Sequence, residues 1–451
     1  MRPRGFEPLA YSFGDCRSIQ LSYGRTFEKV IMTPVRFPIA VLAAIVLFAA
    51  ATPAQKAGIP PAEYQARRNA LAKSIGPDAL FIAFSSEPAR RTGDVDWPFR
   101  QEDNLLYLTG LNEPDTTLAL LPGEREKREV IFSRDRDPAN ERWTGVIPSS
   151  DQVAAATGVR EVISPRRFTQ FIDALFQGLG WVAPSPSSYF APPGMPAFLA
   201  SVRAGRAEVW LVMHDRGPLG GPMTREQRFA DDLRRQYPGV RIRDASPLLL
   251  AMREIKSPAE LTLIQRAVDI TVEAQKSAMR RVLTATLESE VQATIEFTFR
   301  NLGACCWAFP SIVAAGRNTT TLHYETNNEP IVRGGLLLTD LGAEVEGYSA
   351  DVTRTYPADG TFSPDQRAIY ESVLTNDPEV YVRKDDILGS EIFKQLPPAE
   401  QASMRAAVTR YDGIGVRIED DVLITAGEPK VLSAGALRSV QDIEAWMASK
   451  R

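Results

Sequence analysis

The sequence predicts two domains, an α/β unit followed by an α+β unit, and three observations carry that reading. Strand-like apolar runs alternate with helical patterns between residues 60 and 245, as in a parallel or mixed sheet layered with helices. At Ser257 the segment SPAE places a serine at an N-cap, Pro258 at the first helical position and Glu260 where a capping box needs it. From Gly334 onward the apolar period changes to two, in short strands.

In the first unit a helix starts near Pro61, with Tyr64, Arg68 and Leu71 at helical spacing. Strands follow at Ala79–Phe84, Leu118–Leu121, Glu129–Phe132 and Glu208–Val212, with helical patterns near 167–177 and 224–236. The Pro- and Ser-rich run Pro184–Pro196 reads as a loop. In the second unit Leu261, Ile264, Val268, Val272 and Met279 recur at helical spacing, and a second helix spans about Ser289–Asn301. The boundary falls near residues 246–256.

Composition excludes several function classes. The chain has 451 residues with a net charge of −4, so nothing points to a nucleic-acid partner. Three cysteines give neither a disulfide framework nor a zinc-thiolate spacing: Cys16 stands alone, and Cys305 and Cys306 are neighbours. With only two histidines, His214 and His323, any mechanism needing three imidazoles is ruled out.

The N-terminal 54 residues stand apart. From Met32, one basic residue (Arg36) precedes an apolar run from Phe37 to Ala51 and a small-residue stretch ending at Ala54. That order is an export signal, residues 32–54, and predicts a secreted or periplasmic mature chain. The run falls short of the roughly 20 apolar residues of a membrane span, so no stable membrane anchor is expected. Residues 1–31 show no periodicity and are expected to be a non-native extension.

The segment GGLLLTDLGAEVEGYSADVTRTYP, residues 334–357, reads as an antiparallel hairpin that sets Asp340 and Asp351 opposite or nearly so. Cross-strand neighbours have Cβ atoms about 4.5–5.5 Å apart. Carboxylates so close raise each other's pKa unless a cation lies between them, which a pair of divalent metals would supply. Two solvated acids on an exposed hairpin fit these residues equally well. Glu419, among the alternating apolar residues of GIGVRIEDDVLIT (413–425), is either a third ligand or the polar face of an edge strand.

Taken together, these segments resemble the pita-bread metallopeptidases, most closely the Xaa-Pro aminopeptidases (aminopeptidase P) and next the prolidases. The likeness rests on TDLGAE, YSADVTRTYP and GVRIEDDVLIT, on SPAELTLIQRA, on PSIVAAGRNTTTLHYETNN (310–328) and on FRQEDNLLYLTGLNEPD (99–115). It implies a creatinase-like N-terminal domain over residues 55–250 and a pita-bread domain over 251–451. It also implies two divalent metals, usually manganese, that activate a water for attack on the peptide carbonyl. Asp340 would chelate one metal, while Asp351 and Glu419 would bridge both. His323 would stabilise the tetrahedral intermediate, and Arg417 would orient acidic groups near Glu419. The implied partner is a peptide with proline at its second position, with prolidase-type dipeptide cleavage as an alternative and oligomeric state left open.

This chain departs from the family pattern between the hairpin and the last strand. A histidine ligand, a second histidine and a glutamate turn belong there, yet the chain runs YESVLTNDPEVYVRKDD over residues 370–386. The pita-bread domain is therefore expected to be incomplete, lacking a segment near 374–377. Asp377 stands where the glutamate ligand should be, one methylene shorter, and the site is left with one metal or none. A deletion, a misjoined reading frame and a non-catalytic peptide-binding module all account for the gap, and little or no peptidase activity is expected.

Overall fold

The computed structural model describes residues 58–125, 128–178, 196–213, 221–376 and 378–449. The expected extension and export signal, most of the Pro/Ser-rich loop, His214 and Asp377 lie outside the described residues.

After a helix at Pro61–Ile75, the first unit is a six-stranded mixed sheet. Its strands are β1 (Ala79–Phe84), β2 (Thr117–Leu120), β3 (Glu129–Phe132), β4 (Glu161–Ile163), β5 (Glu208–Leu211) and β6 (Arg241–Asp244), in spatial order β4-β3-β2-β1-β5-β6. The β1–β2 and β2–β3 pairs are antiparallel, and the other three are parallel. All six residues of β1 are buried, because side chains alternate between two cores. Leu80, Ile82 and Phe84 face one core, and Ala79, Phe81 and Ala83 the other. Arg68, expected on the helical stripe, is fully buried: its guanidinium donates to the Leu108 and Thr157 carbonyls at 2.9 and 3.0 Å and meets Glu129 at 3.1 Å.

In the second unit, helix Pro258–Arg281 opens with a complete capping box: Glu260 N–H donates to Ser257 Oγ at 3.2 Å, and Ser257 N–H to Glu260 Oε2 at 2.8 Å. Its buried stripe runs through Leu263, Ala267, Val268, Thr271, Ala274 and Ala278, while Leu261 and Ile264 are half-buried. The helix lies on helix Glu288–Asn301 and on the strands that follow.

Those strands are β7 (Cys306–Trp307), β8 (Ile312–Ala315), β9 (Leu336–Leu341), β10 (Ala343–Val345), β11 (Tyr348–Ser349), β12 (Val352–Pro357), β13 (Glu379–Tyr381) and β14 (Gly415–Arg417). They form a β8-β9-β12 sheet, a smaller β11-β10-β7 sheet and a β13-β14 ribbon. The long hairpin therefore splits at Gly342, whose backbone packs so close to the Ala350 carbonyl and the Phe309 ring that a Cβ would not fit. The turn lies at Glu346–Gly347, with φ of 52° and 83°, as a tight two-residue hairpin requires. Where the ladder divides, the buried Gln275 amide donates to the Thr339 and Val352 carbonyls at 3.1 and 2.7 Å and accepts from Thr339 Oγ1 at 2.7 Å.

Candidate metal centre

Three adjacent chain segments build the site. In the antiparallel β9–β12 ladder Asp340 lies opposite Thr353. Thr353 in turn bridges Glu419, with the two backbone N–H groups donating across at 3.3 and 3.2 Å. Cross-strand partners share a face, so Asp340, Thr353 and Glu419 form one row. Asp351 is two residues before Thr353, on the same face and diagonal to Asp340. The hairpin thus sets the two aspartates one diagonal step apart. Asp340, Asp351 and Glu419 each offer a carboxylate oxygen within 4.8 Å of the others.

The surroundings are asymmetric. Asp340 is buried, and its Oδ1 has no hydrogen-bond partner, while Oδ2 accepts from Arg417 Nη2 at 2.5 Å. Arg417, itself buried, has its Nε 3.4 Å from Glu419 Oε2, and its Nη1 donates to Tyr381 Oη at 2.9 Å. Thr353 Oγ1 donates to Glu419 Oε2 at 2.6 Å. Lost hydration, then the charges of Asp340 and Glu419, raise the Asp351 carboxyl to about 7. Burial pushes the Tyr381 hydroxyl up to about 12, so this phenol stays neutral as it accepts from Arg417.

An orphaned buried carboxylate oxygen beside two further acids fits a hard divalent cation, which takes oxygen ligands. Asp340, Asp351 and Glu419 would hold it. A second, imidazole-dependent position finds no donor among the described residues, because His323 is exposed on the turn after Gly316–Thr320 and is not part of this cluster.

Sequence reasoning missed three supporting groups: Thr353, Tyr381 and Arg354. Arg354 is fully buried and spends all five guanidinium N–H groups. Nε donates to Leu437 O at 3.0 Å, Nη1 to Thr353 O and Glu419 O at 2.8 Å each, and Nη2 to Ala436 O at 3.0 Å and Asp420 Oδ1 at 2.6 Å. It ties the Glu419 segment to β12. The available signal was an arginine among the β-formers of DVTRTYP, where a buried cation must find partners.

A carboxylate cluster on a short antiparallel sheet, following a separate mixed-sheet domain, is the arrangement that the resemblance to two-domain metallopeptidases implies. Residues 64–180 match the model of the aminopeptidase P N-terminal domain, and residues 262–376 that of metallopeptidase family M24. The Xaa-Pro aminopeptidase of Haemophilus influenzae is 28% identical, covering 87% of this chain and 99% of its own length. That of Escherichia coli is 26% identical over 86% and 98%. Among solved structures, Pseudomonas aeruginosa aminopeptidase PepP superposes with a TM-score of 0.69 at 26% identity, covering 87% of this chain and 99% of that one. Escherichia coli aminopeptidase P with the inhibitor Pro-Leu has the same fold, with a TM-score of 0.68 at 24% identity. The chain belongs to the aminopeptidase P group of the pita-bread metallopeptidases.

Proposed function

We propose that this chain is a derivative of a manganese-dependent Xaa-Pro aminopeptidase that keeps one half of a two-metal centre and has little or no turnover. The observation that carries it is the donor set: three carboxylates gather at Asp340, and no imidazole joins them among the described residues. Charge supports one ion. Three carboxylates and the Arg417 guanidinium leave a net charge of −2, which a single divalent cation neutralises and two would overshoot.

The alignment, by its length, fits a missing internal segment. It spans 463 positions with the Haemophilus relative but uses 87% of the 451 residues here, about 392, so roughly 70 positions have no counterpart. The M24 model also stops at residue 376. A bound cation supplies Lewis-acid polarisation of the peptide carbonyl and lowers the pKa of water. On this chain's side, Asp340, Asp351 and Glu419 would bind it, Arg417 and Thr353 fix the orientation of the carboxylates, and His323 is exposed to solvent. The glutamate expected to take the proton from the attacking water has no counterpart among the described residues.

Assaying the purified chain with manganese and an Xaa-Pro peptide should give negligible release of the first residue, alongside about one bound manganese per chain. Turnover near that of an intact relative assayed in parallel, or two tightly bound ions, would overturn the proposal. Peptide affinity without cleavage would mark the chain as a binding module. The apolar run before Ala54 supports export to the periplasm or beyond. Mature protein retaining residues 32–54 would refute that.

A further inference from the structure

A second cluster of ligand-type side chains lies away from the carboxylates. Glu344 in β10 pairs directly with Cys306 in β7, and Cys305 N–H donates to the Glu344 carbonyl at 3.1 Å. Successive strand residues ordinarily point to opposite faces. A bend at Cys305 undoes this, and both sulfurs approach one oxygen, Glu344 Oε1, at 3.7 Å from Cys305 and 3.9 Å from Cys306. The other oxygen, Oε2, lies 3.2 Å from Arg100 Nε, a residue of the first domain that also holds Asp103 at 2.7 Å.

We propose that Cys305, Cys306 and Glu344 form a metal site for one thiophilic divalent cation of the zinc class, distinct from the carboxylate centre. Tetrahedral coordination with metal–sulfur bonds of about 2.3 Å and metal–oxygen bonds of about 2.0 Å sets ligand sulfurs about 3.8 Å apart and sulfur about 3.5 Å from oxygen. The two sulfur–oxygen separations are within a few tenths of an ångström of that edge, and all three ligand atoms lie within 4.8 Å of one another. Because Glu344 is buried and Arg100 occupies its far oxygen, Oε1 is fixed in place before any ion arrives. Two thiolates and the carboxylate carry −3, which the cation and Arg100 balance. Exposure of Cys305 leaves the fourth position open to water.

A disulfide between adjacent cysteines would be strained, so the reduced pair is the form available to the ion. Without metal the thiols are protonated: lost hydration around its sulfur and the neighbouring Cys306 push the Cys305 thiol up to about 12, although the residue is exposed on one side. Each bound ion therefore releases two protons. This inference does not depend on the proposed peptidase reading.

Cobalt(II) titrated into the reduced, full chain tests it. The expected result is a near-ultraviolet sulfur-to-cobalt charge-transfer band with intense tetrahedral visible bands, saturating at one ion. Zinc should slow the reaction of Cys305 and Cys306, but not of Cys16, with a disulfide reagent at least tenfold. The C305S/C306S variant should lose the band and one zinc equivalent while keeping manganese binding at the carboxylates. Should that variant fail to fold, C305S alone and the zinc-protection assay on the unmodified chain decide. A cobalt complex without the thiolate band, or thiol reactivity unchanged by zinc, would overturn the assignment.

Discussion

Replacing Arg354 with methionine tests whether the buried guanidinium, and not the carboxylates themselves, holds the site together. Methionine approximates the length of the arginine stem but donates nothing, so five hydrogen bonds of 2.6–3.0 Å disappear. Asp420, whose side chain is 12% exposed, loses its closest cation, leaving Arg438 at 3.7 Å among the described residues. Removing one partner of a buried ion pair costs about 3–5 kcal/mol, because the other charge stays desolvated. That is a large share of the roughly 5–15 kcal/mol that holds a domain folded. Because the same side chain anchors the Glu419 carbonyl, manganese affinity should fall about 10- to 100-fold, as expected for a residue that positions a ligand. Native-state hydrogen exchange across Val352–Pro357, read in increasing urea, separates this loss from the stability of the first domain. Arg354→Lys, with three donors in place of five, should fall between the two. A loss below about 1 kcal/mol in R354M would refute the argument. So would a large loss of stability with manganese affinity unchanged.

Three further outcomes follow from the same contacts. Manganese affinity, measured by calorimetry, should rise with pH up to about 7, where Asp351 gives up its proton, and level off above it. In the metal-free chain the sign is reversed: a carboxyl raised above its unfolded value contributes stability at low pH that is lost as pH climbs toward 7. Metal-free thermal unfolding should therefore show this group favouring pH 5 over pH 8, and D351N should flatten that dependence. Gln275→Leu removes the amide that donates to the Thr339 and Val352 carbonyls where the hairpin splits, and should cost about 1–3 kcal/mol in chemical denaturation. Ser257→Ala removes both the capping serine and its 2.6 Å bond to Glu63 of the first domain, and should lower stability by about 1 kcal/mol.

The elements legible in the sequence were those whose cause is local. The capping box at Ser257 announces itself within four residues, and Ala79–Phe84 reads as a strand because six β-formers and small residues run together. Strands β4 and β6 were not anticipated: Glu161–Ile163 is three residues long, and Arg241–Asp244 (RIRD) alternates charge on a partly exposed edge. The candidate site divides along the same line. Asp340 and Asp351 are neighbours in a hairpin whose period-two pattern fixes their face. Arg354 was invisible as a support because its acceptors at Glu419, Ala436 and Leu437 lie 65–83 residues away and are mostly backbone carbonyls, which carry no sequence signal. The splitting of the hairpin at Gly342 was likewise unread, since the glycine answers to a close approach by Ala350 and Phe309 that only the fold creates.

The pairing of β14 explains why a carboxylate half-site can persist without its histidine partner. On one side of β14, Arg417 and Thr355 exchange two hydrogen bonds of 3.1 Å through the Thr355 hydroxyl, and Glu419 bridges Thr353. On the other side, β13 forms an antiparallel ladder with it, extended by Ile418 N–H donating to Pro378 O at 2.9 Å and Val382 N–H to Ile414 O at 2.9 Å. The backbone that presents Arg417 and Glu419 is therefore hydrogen-bonded along both edges by segments present in this chain. Asp340 and Asp351 hang on β9 and β12, whose ladder is closed by β8 on one side and by the Glu419 bridge on the other. No strand bearing one of the three acids borrows its order from an imidazole-bearing segment. Loss of such a segment would remove a ligand and a base while leaving the carboxylates in place, so the proposed function separates metal binding from catalysis. Under the proposed function, that geometry is what would let the chain bind one cation without turning over peptide.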